Sequence, residues 1–165
     1  MKTVLKLITV LFLTLILSCG GKEEKKKEKI KLQTTTEKKV EKKAEKIPAS
    51  KTIDLNNKGI GPITSLTLPN EIDQALVTKG EDVYKKMCTA CHRVDKKFIG
   101  PAPTGILERR SPEWVMNMIL NPEEMTQKDP LAKALLIEFN GSPMANQNLT
   151  EEEARAVLEY FRTLK

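Results

Sequence analysis

Along the 165 residues, apolar and polar positions change their spacing three times. Residues 7–17 are an apolar run broken only by threonines, preceded by Lys2 and Lys6 and followed by the small residue Ser18. A bilayer span needs about 20 apolar residues, so this layout predicts an export signal over 1–18, not a fold element. Residues 20–47 then carry almost no apolar side chains. After Gly80 the spacing turns helical, most clearly where Ala154, Val157, Leu158, Phe161 and Leu164 make one stripe. Thr150 and Glu153 form a capping box at the start of that helix, three glutamates sit at its positive end, and Arg162 and Lys165 at its negative end. Ser111-Pro112 and Asp129-Pro130 each place a capping side chain before a proline, predicting helices through about Leu120 and Phe139. No alternating strand pattern competes after Gly80, so the fold class is all-α.

The chain has a formal net charge of +6, which invites a nucleic-acid or acidic partner. Residues 20–47 hold 11 lysines and 6 glutamates, a balance of +5, and cannot bury enough apolar area to fold. Around 37–46 the glutamates and the lysines each repeat at four-residue spacing, which stacks like charges on any helix, so this stretch reads as a solvated tether. Residues 48–165 are left with 15 positive and 16 negative side chains. The folded part is therefore not basic, which removes most of the case for nucleic acid. With 8 Gly, 9 Pro and 3 Cys the chain is neither collagen-like nor a dense disulfide scaffold, and its size suits one domain.

Ile16-Leu17-Ser18-Cys19 resembles the lipobox of bacterial lipoproteins, which implies an acylated Cys19 at the amino terminus after the signal is removed. The chain then divides into a signal at 1–18, a lipidated cysteine and tether at 19–47, an extended leader at 48–70 and a folded domain at 71–165. A flexible segment of about 28 residues has an r.m.s. span on the order of 30 Å, enough for a domain to move between partners near a membrane.

Cys88-Thr-Ala-Cys91-His92 contains the protein's one histidine. This spacing places two thiols on one turn to form thioethers with haem vinyl groups and lets the adjacent imidazole reach the iron. A dithiol redox pair would want a βαβ context, and a zinc site would want further ligands, neither of which the chain offers. Export agrees with haem, because lipid and haem together consume all three cysteines.

Around this motif the chain resembles the class I c-type cytochromes, from about Glu71 to Lys165. Gly80 to Met87 is similar to that family's amino-terminal helix, in which a glycine and an aromatic four residues on, here Tyr84, meet the last helix. Ile99-Gly100-Pro101-Ala-Pro103-Thr-Gly105 is similar to the family's Gly-Pro loop, with Pro103 where leucine is usual. The resemblance implies that the Pro101 carbonyl accepts a hydrogen bond from His92 and orients its ring. Leu149 to Leu164 is similar to the closing helix. The expected fold is a small cytochrome c, helices wrapped round one covalent haem c and preceded by a disordered tether.

The sixth iron ligand must come from methionine, lysine or nothing. Met1 leaves with the signal, Met87 adjoins the attachment site, and Met116 and Met118 lie on different faces of one helix, where packing is their expected role. Met125 remains a candidate. Met144, in the loop Asn140 to Asn148, stands where the family places its axial methionine. Trp114 and Arg109 are candidate donors to haem propionates. The resemblance implies a one-electron carrier, not an enzyme, held by its lipid at the periplasmic side of a bacterial membrane. Its expected partners are a quinol-oxidising complex and a terminal reductase or oxidase. Residues 109–125 resemble small cytochromes that accompany nitrous-oxide reductases, which points to denitrification. The competing reading is a gas sensor in which Met144 is displaceable; a peroxidase would want a second haem motif or a distal histidine.

Overall fold

The computed structural model describes residues 47–165, so the expected signal, Cys19 and the tether through residue 46 lie outside the described residues. Among the described residues five α-helices form: α1 Gln74–Met87, α2 Pro112–Leu120, α3 Pro122–Lys128, α4 Pro130–Glu138 and α5 Glu151–Arg162. Among the described residues no strand forms, and Asp54 and Arg110 make an isolated parallel bridge.

The caps that the sequence predicts are present. The Thr150 hydroxyl accepts from the Glu153 N–H at 3.2 Å while Glu153 accepts from the Thr150 N–H at 2.9 Å, closing both ends of the capping box. Ser111 accepts from the Trp114 N–H at 3.1 Å, and Asp129 from the Ala132 N–H at 2.7 Å. Helix α1 starts at Gln74, six residues before the expected stretch, because the Asp73 carboxylate accepts from the N–H groups of Ala75 and Leu76. Helix α3 was not foreseen. Its signals are Pro122 at the first helical position, Glu123 and Glu124 in the first turn and Lys128 in the last.

α1 crosses α5 at Gly80, and beyond the crossing Tyr84 packs on Tyr160 and Phe161 with ring centroids 5.5 and 5.8 Å away. The α5 stripe buries Ala154, Val157 and Leu158 as expected, and also Ala156 and Glu159. Trp114, Met116 and Met125 continue the core under α2 and α3.

Residues 49–70 run over α2, α3 and α4 as a strap. Ile63 is buried in the core, and Asn117 holds the strap by donating to the carbonyls of Lys58 and Ile63 and accepting from the Ile63 N–H, all at 2.9 Å. Arg110, itself buried, donates to the carbonyls of Ala49 and Thr52. Asp129 joins strap, α2 and α4, accepting from Asn57 Nδ2 at 2.7 Å and Trp114 Nε1 at 3.2 Å besides capping α4.

Candidate haem site

The helices leave a broad, open cleft. Its walls come from the end of α1, the Cys88–His92 turn, the 99–103 loop, α2, α4, the 142–149 loop and α5, and they are almost wholly apolar. No residue of the strap takes part. A cleft of this character suits an apolar ligand.

Cys88 ends α1, its N–H still donating to the Tyr84 carbonyl at 2.9 Å. The chain then tightens, with the N–H groups of Cys91 and His92 both reaching the Cys88 carbonyl, at 3.1 and 2.9 Å. That single turn brings Cys88, Cys91 and His92 to the cleft wall together. The two sulfurs are not joined in a disulfide. Burial, and secondarily Cys91, push the Cys88 thiol up to about 11. A dithiol redox pair works through a lowered thiol pKa, so the electrostatics run against that reading. Among the described residues no cluster of three or more His, Cys, Asp or Glu side chains could hold a metal ion.

The His92 ring is fixed from its other side. Nδ1 lies 2.8 Å from the Pro101 carbonyl oxygen, which can only accept, so Nδ1 carries the proton and Nε2 keeps its lone pair. Gly100 makes this approach possible: a Cβ there would lie 2.4 Å from His92 Cε1. The Gly100 N–H also donates to the Cys91 carbonyl at 2.8 Å, tying the loop to the cysteine turn. Pro103, where leucine was the family expectation, is buried and lines the cleft, and its carbonyl accepts from the Ile106 N–H at 2.9 Å.

Met144 lines the same cleft as His92, half-buried in the loop between α4 and α5. The backbone reaches that position through Asn140 and Gly141, whose φ values are 60° and 71°. Met118 also faces the cleft, whereas Met116 is in the core. Met125 is removed from consideration as an iron ligand. It is fully buried outside the cleft walls, and its sulfur accepts from the Ile60 N–H at 2.9 Å.

Two candidate donors to the cofactor, Trp114 and Arg109, lie outside the cleft wall. Trp114 is 3% exposed and not in the cleft wall, because α2 turns it toward the strap and α4, where Asp129 takes its indole N–H. Arg109 is likewise outside the wall; its guanidinium donates to the carbonyls of Thr104 and Gly105, at 3.1 and 3.0 Å, and so braces the loop behind Pro103. Tyr84 and Gly100 are among the wall residues given no part at the site from sequence, although Tyr84 lies one helical turn before Cys88.

These residues fit a haem: an apolar cleft, two thiols on one turn at its wall, and an imidazole whose Nδ1 is already committed. The group would add a redox-active iron, and the chain would supply attachment, orientation and exclusion of water. Residues 77–165 match the family model described as cytochrome c. Cytochrome c-551 of Stutzerimonas stutzeri is 31% identical over 112 residues, covering 63% of this chain and 94% of the relative. Cytochrome c2 of Rhodopseudomonas palustris is 28% identical over 111 residues, covering 53% and 96%. Among solved structures, cytochrome c from Rhodothermus marinus superposes with a TM-score of 0.62 at 42% identity, covering 71% of this chain and 93% of that one. The chain belongs to the cytochrome c family, a haem-containing electron carrier and not an enzyme, with one haem c bound covalently through Cys88 and Cys91.

Proposed function

We propose that this protein is a membrane-tethered carrier at the periplasmic side of a bacterial membrane, taking single electrons from a quinol-oxidising complex to a terminal reductase or oxidase. One observation supports it above the rest: His92, its Nδ1 held by Pro101, and Met144 wall the same apolar cleft. In this reading His92 and Met144 are the axial ligands, Pro101 orients the imidazole, and Cys19 carries the lipid. A histidine and methionine pair raises the reduction potential and closes the iron to small molecules, which suits electron transfer. Exposed Met87, Cys91 and Ile99 at the cleft mouth, flanked by exposed Lys85, Lys86, Lys96 and Lys97, offer a small face for transient docking. The likeness of residues 109–125 to cytochromes that accompany nitrous-oxide reductases makes that enzyme class the acceptor to try first.

The test is spectroscopic. Carbon monoxide added to the reduced, haem-loaded protein should leave its bands unchanged, and Met144→Ala should lose the near-infrared methionine-to-iron band and take up the gas. Rapid uptake by the unaltered protein would replace the carrier reading with a gas sensor. Separately, Cys19→Ser should release the protein from membranes; retention would refute the lipid anchor.

A further inference from the structure

The Lys97 ammonium lies 4.6 Å from the centre of the Phe139 ring, within reach of a cation–π attraction. Phe139 is 5% exposed and lines the cleft, while Lys97 is exposed, so the lysine caps from the solvent side a ring that forms part of the cleft wall. Both partners are fixed by their surroundings. On the lysine side, the Val94 carbonyl accepts from the N–H and the hydroxyl of Thr104, at 3.1 and 2.6 Å, and the Phe98 N–H donates to the Gly100 carbonyl at 3.1 Å. Arg93 lies over the Phe98 ring at 4.1 Å and donates to the His92 carbonyl at 3.1 Å, which ties this segment to the histidine. On the other side, the Phe139 N–H donates to the Leu135 carbonyl at 2.9 Å, and its own carbonyl accepts from the Ser142 N–H at 3.2 Å. Phe139 is therefore the root of the loop that carries Met144.

That loop is thinly held by its own contacts. Residues 140–143, 145, 146 and 148 are exposed, and its hydrogen bond to α2, from Asn146 Nδ2 to the Leu120 carbonyl, is 3.4 Å long. A contact from outside the loop then has weight in deciding how often it opens. We infer that Lys97, seated on Phe139, clasps the His92 side of the cleft to the Met144 side and so restrains Met144 from leaving the iron. The inference rests on the proposed ligation by Met144. Lys97 acts through Phe139 and the loop, without touching the cofactor, and is a positioning residue.

The probe is imidazole, added to the oxidised, haem-loaded full chain and followed by visible absorbance. It can take the sixth position only after the methionine sulfur has left, a ligand exchange without electron transfer, so its binding rate reports how often the loop opens. Lys97→Gln removes the ammonium at an exposed position and should speed binding about two- to five-fold, while Lys97→Arg, which restores a cation over the ring, should bind near the parent rate. Lys133→Gln removes a charge from an exposed position on α4 and should match the parent, which separates the clasp from a change in net charge. An unmoved rate in Lys97→Gln, or the same acceleration in Lys133→Gln, would overturn the clasp. Met144→Ala keeps the two failures apart. If the parent binds imidazole as fast as that variant, Met144 is not the ligand and the clasp falls with it; if the variant is much faster and Lys97→Gln is unmoved, the clasp alone is wrong.

Discussion

A Cβ placed on Gly80 would lie 2.0 Å from the carbonyl oxygen of Ala156 and 2.4 Å from its carbonyl carbon. The α1–α5 crossing is therefore a contact of backbone with backbone, and no side chain can yield to relieve it. Because Cys88 ends α1, and Val157 and Phe161 of α5 line the cleft, this contact sets the separation of two cleft walls. Gly80→Ala should lose about 1–3 kcal/mol or more to overpacking, against the roughly 1 kcal/mol that alanine gains in a helix. Urea unfolding of the haem-loaded protein measures the balance, and a variant at least as stable as the parent would contradict a rigid crossing.

Gly100 stands in the same relation to His92, with an added Cβ 2.4 Å from Cε1 and 2.8 Å from Nδ1. Gly100→Ala should push the imidazole off the Pro101 carbonyl. For the proposed ligand His92, losing that hydrogen bond lowers its basicity, so the midpoint potential should rise and stability fall by about 1–3 kcal/mol. Redox titration reads the first effect, and an unmoved potential would show that Pro101 does not tune the ring.

Asn117 is 1% exposed and spends its amide on three backbone groups of the strap. Asn117→Ala leaves those groups unpaired at a cost of about 3 kcal/mol. Limited proteolysis should then cut within residues 58–66 much faster, while the visible haem spectrum stays unchanged, because the strap lines no part of the cleft. A changed spectrum with an intact strap would reverse that separation of roles.

Glu159 is 1% exposed and accepts from Arg155 and Arg162, each at 2.6 Å, and from the Asp73 N–H at 3.0 Å. Burial by itself raises its pKa, but donation from Arg155 and Asp73 and the charges of Arg155 and Arg162 outweigh it and hold the carboxyl below its usual 4.5. Its stabilisation is thus fully present above the unfolded value and is lost as pH falls through the depressed folded one. Glu159→Gln should cost about 2 kcal/mol at neutral pH, and the deficit should shrink as pH falls below the ordinary carboxylate range. Unfolding midpoints of the two proteins across that range test it; a constant difference would mean the charge is irrelevant.

Much of the fold is legible because its signals are local. The Thr150–Glu153 box, the Ser111-Pro112 and Asp129-Pro130 starts and the α5 stripe each involve residues within one or two helical turns, where spacing dictates contact. The cysteine turn is legible for the same reason. Helix α3 escaped because Asn121 makes no side-chain cap and the helix has only seven residues, too few for a stripe. The burial of Glu159 has no local signal, since its partners include the N–H of Asp73, 86 positions away.

Trp114 shows the other side of this division. As a residue type it suited a polar contact at the cofactor as well as a place in the core, and Asp129, fifteen positions on, settled the choice by taking its indole N–H. Met125 and Met144 are both candidate sulfur donors in one dimension, with the family resemblance pointing to Met144, and Met125 is fully buried against Ile60 of the strap while Met144 opens on the cleft beside α2 and α5. The covalent attachment pair, the helix starts and the separation of a charged segment from a nearly neutral domain are properties of short stretches of chain, and they follow from spacing and charge alone. Which face each helix turns to the cleft and which buried polar groups find partners depend on contacts between distant residues, and those exist only once α1 has crossed α5 and the strap has closed over α2.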